Sequence, residues 1–179
     1  GICAVQRGAQ PVKLLLAFQP PYDWPAMVGF LSARAITGME EVVGDVYSRS
    51  IGLNGVHGTL AIGPATADSL ELTLDFPDAS AVPEIVARLR RMFDLDADLI
   101  SMQQHLSADP LLARLITDRP GLRVPGTWDG LELAIRAVLG QQITVGAAIK
   151  LAGKLVAQYG TPLSSPRGGL THVFPEAAV

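Results

Sequence analysis

The chain has 179 residues, 49% of them apolar and 17% charged, enough for one large domain or two small ones with their own cores. Its longest apolar stretches are broken by Arg34, Arg88 and Lys150, so none reads as a membrane span, and the single Cys3 excludes an internal disulfide. The net charge of −3 argues against a binder of nucleic acid that relies on bulk positive charge. The balance is uneven, however. Residues 1–132 hold 16 acidic and 10 basic side chains, whereas residues 133–179 hold Arg136, Lys150, Lys154 and Arg167 against Glu176 alone, so an anion is expected late in the chain. His57, His105 and His172 are too dispersed for a ligand cluster, and no metal site is expected. With Gly1 in first place and no secretory leader, the chain reads as a piece of a larger cytoplasmic protein.

Residues 1–11 are polar and aperiodic and read as a linker or tail. "VKLLLAFQPP" from Val12 reads as a strand ended by Pro20-Pro21, since proline cannot donate to a ladder. Asp23 then caps a helix with Pro25 in its first turn, and Trp24, Met27, Val28, Phe30, Leu31 and Ala35 recur at helical spacing as far as Gly38. Three strands follow as a meander, "EEVVGDVYSRSIGL", "HGTLAIGP" and "SLELTLDF". The third puts Leu70, Leu72, Leu74 and Phe76 on one face and Glu71, Thr73 and Asp75 on the other. "VPEIVARLRRMFDLDAD" returns to helix, with Val82, Ile85, Val86, Leu89 and Phe93 inside and Arg88, Arg90 and Arg91 outside. Residues 12–97 are thus expected to form a β-α-β-β-β-α unit of the α+β class, an antiparallel sheet with both helices on one face.

No strand pattern is evident in residues 98–179, which read as a second, all-helical unit. Helices are expected in "LISMQQHL", "PLLARLITD", "WDGLELAIRAVLGQQIT" and "VGAAIKLAGKLVAQYG", and the tail "TPLSSPRGGLTHVFPEAAV" reads as loop. The junction Gly140-Gln141-Gln142 interrupts two helices and admits two readings. One is a helix corner with solvated amides. The other is a tip whose long uncharged amide enters a base stack and hydrogen-bonds an orphaned base without the cost of burying a charge. Trp24 and Phe30 lie six positions apart and therefore on opposed faces of the first helix, so one packs on the sheet and the other faces a neighbouring domain or a ligand. Asp94, Asp96 and Asp98 read as a solvated cap or turn, and Asp129 and Glu132 as acids complementing a helix dipole. No carboxylate pair, nucleophile triad or phosphate loop can be assembled, so the residues by themselves yield two domains and no active site.

The stretches "QPPYDWPAMVGFLSARAI" (Gln19 to Ile36), "RRMFDLDAD" (Arg90 to Asp98), "RPGLRVPGTWDGLELAIRAVLGQQITVGAAIKLAGKLVAQYG" (Arg119 to Gly160) and "HVFP" (His172 to Pro175) together resemble the AlkA-type 3-methyladenine DNA glycosylase II family, in order across residues 14–179. The resemblance implies a sheet domain like one repeat of the TATA-binding protein, followed by the first helices of an all-α domain of the helix-hairpin-helix glycosylase superfamily. It implies base excision repair: hydrolysis of the N-glycosidic bond of an alkylated base flipped out of double-stranded DNA, with no cofactor. By the same resemblance Phe30 forms part of the base pocket and Gln142 is the wedge that plugs the duplex, with Gln141 beside it. A leucine stands at the wedge in the best-known relative, so Gln142 is a departure that bears on lesion or partner-base preference. The family's DNA-anchoring hairpin and catalytic aspartate lie downstream of anything matched here, so no catalytic residue is assigned and the isolated chain is expected to be inactive. A rival from another class is a non-catalytic DNA- or protein-binding module of a multidomain regulator. In some bacteria an AlkA-type domain follows an Ada-type regulator, and residues 1–11 read like a linker from such a partner.

Overall fold

In the computed structural model residues 11–176 are described, so the linker expected at residues 1–11 lies, but for Pro11, outside the described residues. The first strand, β1 (Val12–Ala17), leads to helix α1 (Trp24–Ser32). Asp23 caps that helix by accepting from the Ala26 N–H, and Pro25 lies in its first turn, as expected. The helix ends at Ser32, earlier than its apolar spacing suggests. The Ile36 N–H is taken by the Glu40 carboxylate, and Gly38 turns the chain at φ +88.

Strands β2 (Glu40–Val43), β3 (Val46–Leu53), β4 (Val56–Thr66) and β5 (Ser69–Asp75) follow, and the sheet order is β1-β5-β4-β3-β2, antiparallel throughout. The stretch from Glu40 to Leu53, expected as one strand, is a hairpin. Gly44, at φ +59, and Asp45 form a two-residue loop between Val43 and Val46, with glycine in the position where a right-twisting turn requires it. Asn54 and Gly55, both at positive φ, make the next loop, the residue pair best suited to a tight hairpin. In β5 the expected alternation holds: Leu70, Leu72, Leu74 and Phe76 are buried, while Glu71, Thr73 and Asp75 are not.

After a short 3-10 turn at Ala79–Ala81, helix α2 (Val82–Met92) packs beside α1 on one face of the sheet. The core between them includes Trp24, Tyr47, Ile51, Leu72, Ile85 and Phe93. Trp24 is therefore the aromatic of α1 that faces the sheet, and its indole N–H donates to the Asp45 carbonyl at 2.8 Å. Four further helices are α3 (Leu99–Leu106), α4 (Pro110–Asp118), α5 (Gly130–Leu139) and α6 (Val145–Tyr159). Asp98, Asp109, Asp129 and Thr144 cap them in turn.

The tail expected as loop contains a second hairpin, β6 (Thr161–Arg167) and β7 (Leu170–Val173). Pro162, Pro166 and two glycines leave it without alternation, which is why periodicity does not reveal it. It is held by the first unit: Thr171 and His172 donate their N–H groups to the Gly38 carbonyl, and Ser50 Oγ donates to the His172 carbonyl at 2.6 Å. A smaller core of Ile36, Met39, Ala152, Val156 and Phe174 lies between α6 and the segment after α1.

A buried charge network joins α5 to the sheet. Arg49, on the core-facing register of β3 between Tyr47 and Ile51, is 2% exposed and pairs with Glu132 of α5 at 2.6 Å. Arg136, one turn on, bonds Glu40 and reaches the other Glu132 oxygen at 3.1 Å. Tyr47 donates its phenol to Glu40 at 2.6 Å. Burial alone would raise the Glu40 carboxyl, but Arg49, Arg136, the Tyr47 hydroxyl and the Ile36 N–H together hold it below its ordinary value. Removing one member strands a buried charge, and Glu132→Ala is expected to cost about 3–5 kcal/mol in unfolding experiments. Because the folded pKa of Glu40 lies below the unfolded value near 4.5, its stabilisation is complete above that pH and is lost as pH falls through the folded value. The melting temperature should therefore drop as pH falls from 5 toward 3, roughly the range below an ordinary carboxylate pKa, and Glu40→Gln should flatten that drop while lowering stability at pH 7. An unchanged slope in the variant would contradict the assignment.

Candidate functional site

A cleft of about 490 Å³ opens where α1, the loop before α5, and the α5–α6 corner meet. Phe30 and Arg34 form one wall, Trp128 and Arg136 another, and Gly140 and Ile149 close the far side. Its lining is mainly apolar with a few convergent charges, the usual make-up of a ligand site.

Phe30 is on the face of α1 turned away from the sheet and is 39% exposed. The Arg34 guanidinium sits over its ring, 3.8 Å from the centroid, and donates to the Phe30 carbonyl at 3.3 Å, one of the helix's last free acceptors. Among the described residues Arg34 forms no ion pair, so it is the uncompensated charge of the cleft wall. The ring face already accommodates a cation.

The charge network lies along the cleft floor. Burial would lower the Arg49 guanidinium, but Glu132, Tyr47 and Glu40 reverse that, so it stays charged. Burial raises the Tyr47 phenol and the Glu40 charge raises it further, which keeps the hydroxyl a donor. Glu40 and Glu132 are thus occupied as ion-pair partners. Neither role is visible in the expected dipole function of Glu132; the available signals are an arginine at an inward position of a strand and a Glu–Arg pair four apart on a helix.

Gly140 has an ordinary φ of −82, and a side chain there would meet chiefly the carbonyl of Arg136 on its own helix, at 3.2 Å, with Ala148 of α6 at 3.9 Å. The left-handed conformation falls two residues later, on Gln142 at φ +61. A glutamine is held there against its preference, a strain that concentrates at functional positions. Gln141 and Gln142 do not line the cleft; both are exposed beside its lining residues Gly140 and Ile143. Val138, Ile143 and Val145 are also exposed and give the corner an apolar fringe. The structure therefore brings Phe30 and the glutamine corner to two borders of one cleft. Asp96 pairs instead with Arg90 and Asp98 caps α3, both remote from it. Among the described residues no cluster of His, Cys, Asp and Glu could hold a metal ion, and no helix is long and apolar enough to cross a membrane.

Comparison with known proteins agrees with this architecture. The family described as AlkA N-terminal domain matches residues 13–129. A probable bifunctional transcriptional activator/DNA repair enzyme AlkA of Mycobacterium tuberculosis is 40% identical over 167 residues, covering 93% of this chain and 34% of the relative. DNA-3-methyladenine glycosylase 2 of Escherichia coli is 36% identical over 149 residues, covering 83% of this chain and 51% of the relative. The chain thus spans a third to a half of the relatives it matches. A solved 3-methyladenine DNA glycosylase from Archaeoglobus fulgidus superposes with a TM-score of 0.78 at 20% identity, over 90% of this chain and 55% of that one, which shows a shared fold. With the family match extending over well over half its length, from β1 to the start of α5, the chain belongs to the AlkA N-terminal domain family.

Proposed function

We propose that this chain is the amino-terminal portion of a cytoplasmic DNA glycosylase that excises alkylated bases such as 3-methyladenine from double-stranded DNA. The observation that carries it is the pairing of an exposed corner, with Gln142 held at φ +61, and a part-exposed aromatic ring at Phe30 on the borders of one cleft. A base on Phe30 has left the stack, and a side chain at the corner is placed to fill the gap. The Gln142 carboxamide would donate and accept hydrogen bonds to the orphaned partner base, which a leucine cannot do. A base alkylated on a ring nitrogen carries positive charge, and the Phe30 ring, which attracts the Arg34 guanidinium, would attract such a guest in place of Arg34. When the C1′–N bond breaks, the electron pair leaves with the base and cancels its charge, while water supplies the hydroxyl to C1′ and releases its remaining proton to solvent. No described residue is assigned to activate that water, since Glu40 and Glu132 are committed to ion pairs. No cofactor is invoked.

A second reading is favoured by the name of the Mycobacterium tuberculosis relative, a transcriptional activator as well as a repair enzyme, of which this chain matches only 34%. In that reading the chain is a non-catalytic DNA- or protein-binding module of an Ada-type regulator. Release of methylated purines from duplex DNA by the full-length gene product separates the two: release supports the enzyme, and duplex binding without release supports the module.

In an active full-length protein, Phe30→Ala should slow single-turnover excision about tenfold, the worth of one base–aromatic stack. Gln142→Ala should lower both duplex affinity and excision, and unchanged values for both would sink the plug assignment. Gln142→Gly should make the point more sharply. Relief of the left-handed strain should raise stability by roughly 0.5–1 kcal/mol, measured by thermal or urea unfolding, while excision falls as in Gln142→Ala.

A further inference from the structure

Arg136 joins three parts of the cleft at once. One terminal nitrogen donates to the backbone carbonyl of Arg34, just beyond the last turn of α1, at 3.3 Å. The other bonds the Glu40 carboxylate and lies 3.1 Å from Glu132 on its own helix. Glu40 in turn accepts from the Ile36 N–H, so the whole segment that follows α1 is tied to this guanidinium. One turn further along α5 stands Gly140, and beyond it the glutamine corner. The side chain also leaves its Nε buried with no hydrogen-bond partner among the described residues. A residue serving only its own helix would avoid that desolvation by turning to water; here the planar fork is committed to the bridge.

We infer that Arg136 is a positioning residue that holds the Phe30 wall and the Gln142 corner at a fixed separation, so that plugging the duplex and seating the flipped base occur in one geometry. The inference builds on the proposed glycosylase reading. It follows from where the bonds go: the Arg136 guanidinium bonds neither the glutamines of the corner nor the Phe30 ring, but it links the segment just after the helix that carries the ring to the helix that ends in the corner. The neighbouring tie from α5, Glu132 to Arg49, runs to strand β3 and does not reach the segment that follows α1. Small errors in placement are costly for reacting groups, on the order of a hundredfold in rate for about 1 Å.

The test uses the full-length gene product and a duplex with a single 7-methylguanine. Three quantities are read: single-turnover release of the base, affinity for the same duplex bearing an uncleavable abasic-site analogue, and melting temperature. Arg136→Met alone leaves two buried acids, Glu40 and Glu132, against the single charge of Arg49 and should melt early. The double variant Glu40→Gln/Arg136→Met removes both charges and should regain most of the melting temperature. Its duplex affinity should stay within about threefold of wild type while base release is roughly 10- to 100-fold slower, as expected for misplacement rather than lost binding. A double variant that regains both melting temperature and release rate overturns the inference and leaves Arg136 a stabilising residue. Should the double variant fail to fold, Arg136→Lys decides. A lysine keeps the charge but cannot fork between a carbonyl and two carboxylates, so slower release at unchanged melting temperature supports the inference and an unchanged rate overturns it. Failure of the wild type to release any alkylated base removes the glycosylase reading itself, whereas an active wild type confines the result to Arg136.

Discussion

The structure depends on a constraint of charge burial. Arg49 stands at a core-facing position of β3, where an unpaired guanidinium would cost several kcal/mol, and its carboxylate comes from Glu132, 83 positions later. The sheet is therefore not electrically complete until α5 has docked. Glu40 and Arg136 extend the same requirement toward the surface, giving two acids and two bases that neutralise one another. Apolar packing would tolerate small slides of α5 over the sheet; a hydrogen-bonded quartet does not, because each displacement leaves a buried partner unmet. Arg49 and Arg88 also approach the Trp128 ring at 5.5 and 5.3 Å, which fixes the loop before α5.

Rigidity and strain are divided along the helix accordingly. The first two turns of α5 carry the ion pairs, and beyond its far end, capped by Gly140, stands a glutamine in an unfavourable conformation. Residues 141–146 are all exposed, with apolar side chains among them. Such a tip has little to gain from its own contacts and suits insertion into another molecule. Phe30 shows the complementary arrangement. Its helix is pinned by Trp24 on the opposite face, and the ring is left open to solvent apart from the guanidinium resting on it.

Much of this was legible in the residues, and the failures have physical reasons. Alternation in Leu70 to Phe76 revealed β5 because one of its faces meets the core, and Asp23 with Pro25 marked the start of α1. The β6–β7 hairpin was illegible because its stability comes from bonds to Gly38 and Ser50 rather than from a periodic apolar face. The turn at Gly44-Asp45 was hidden by the valines on either side, which read as one continuous strand. Spacing placed Trp24 and Phe30 on opposite faces but could not say which faced the sheet; that depended on the Asp45 carbonyl, a tertiary partner. The site was legible only through family resemblance. Glu132 looked like an ordinary first-turn acid, and its partner could not be inferred from local pattern. Glycine drew attention to the corner, yet the unusual backbone belongs to Gln142.

The hairpin after α6 adds a mechanical consequence. The chain leaves the first unit before α5, runs out to the glutamine corner, returns along α6, and is fastened again where Thr171 and His172 meet Gly38. The two helices therefore resemble an arch with two abutments, both built from the acidic sheet unit, and the corner is its crown. A thrust on the crown from a stiff partner is carried down both legs into the sheet, so under the proposed glycosylase reading the part of the chain least suited by charge to touch DNA would bear the load of entering it.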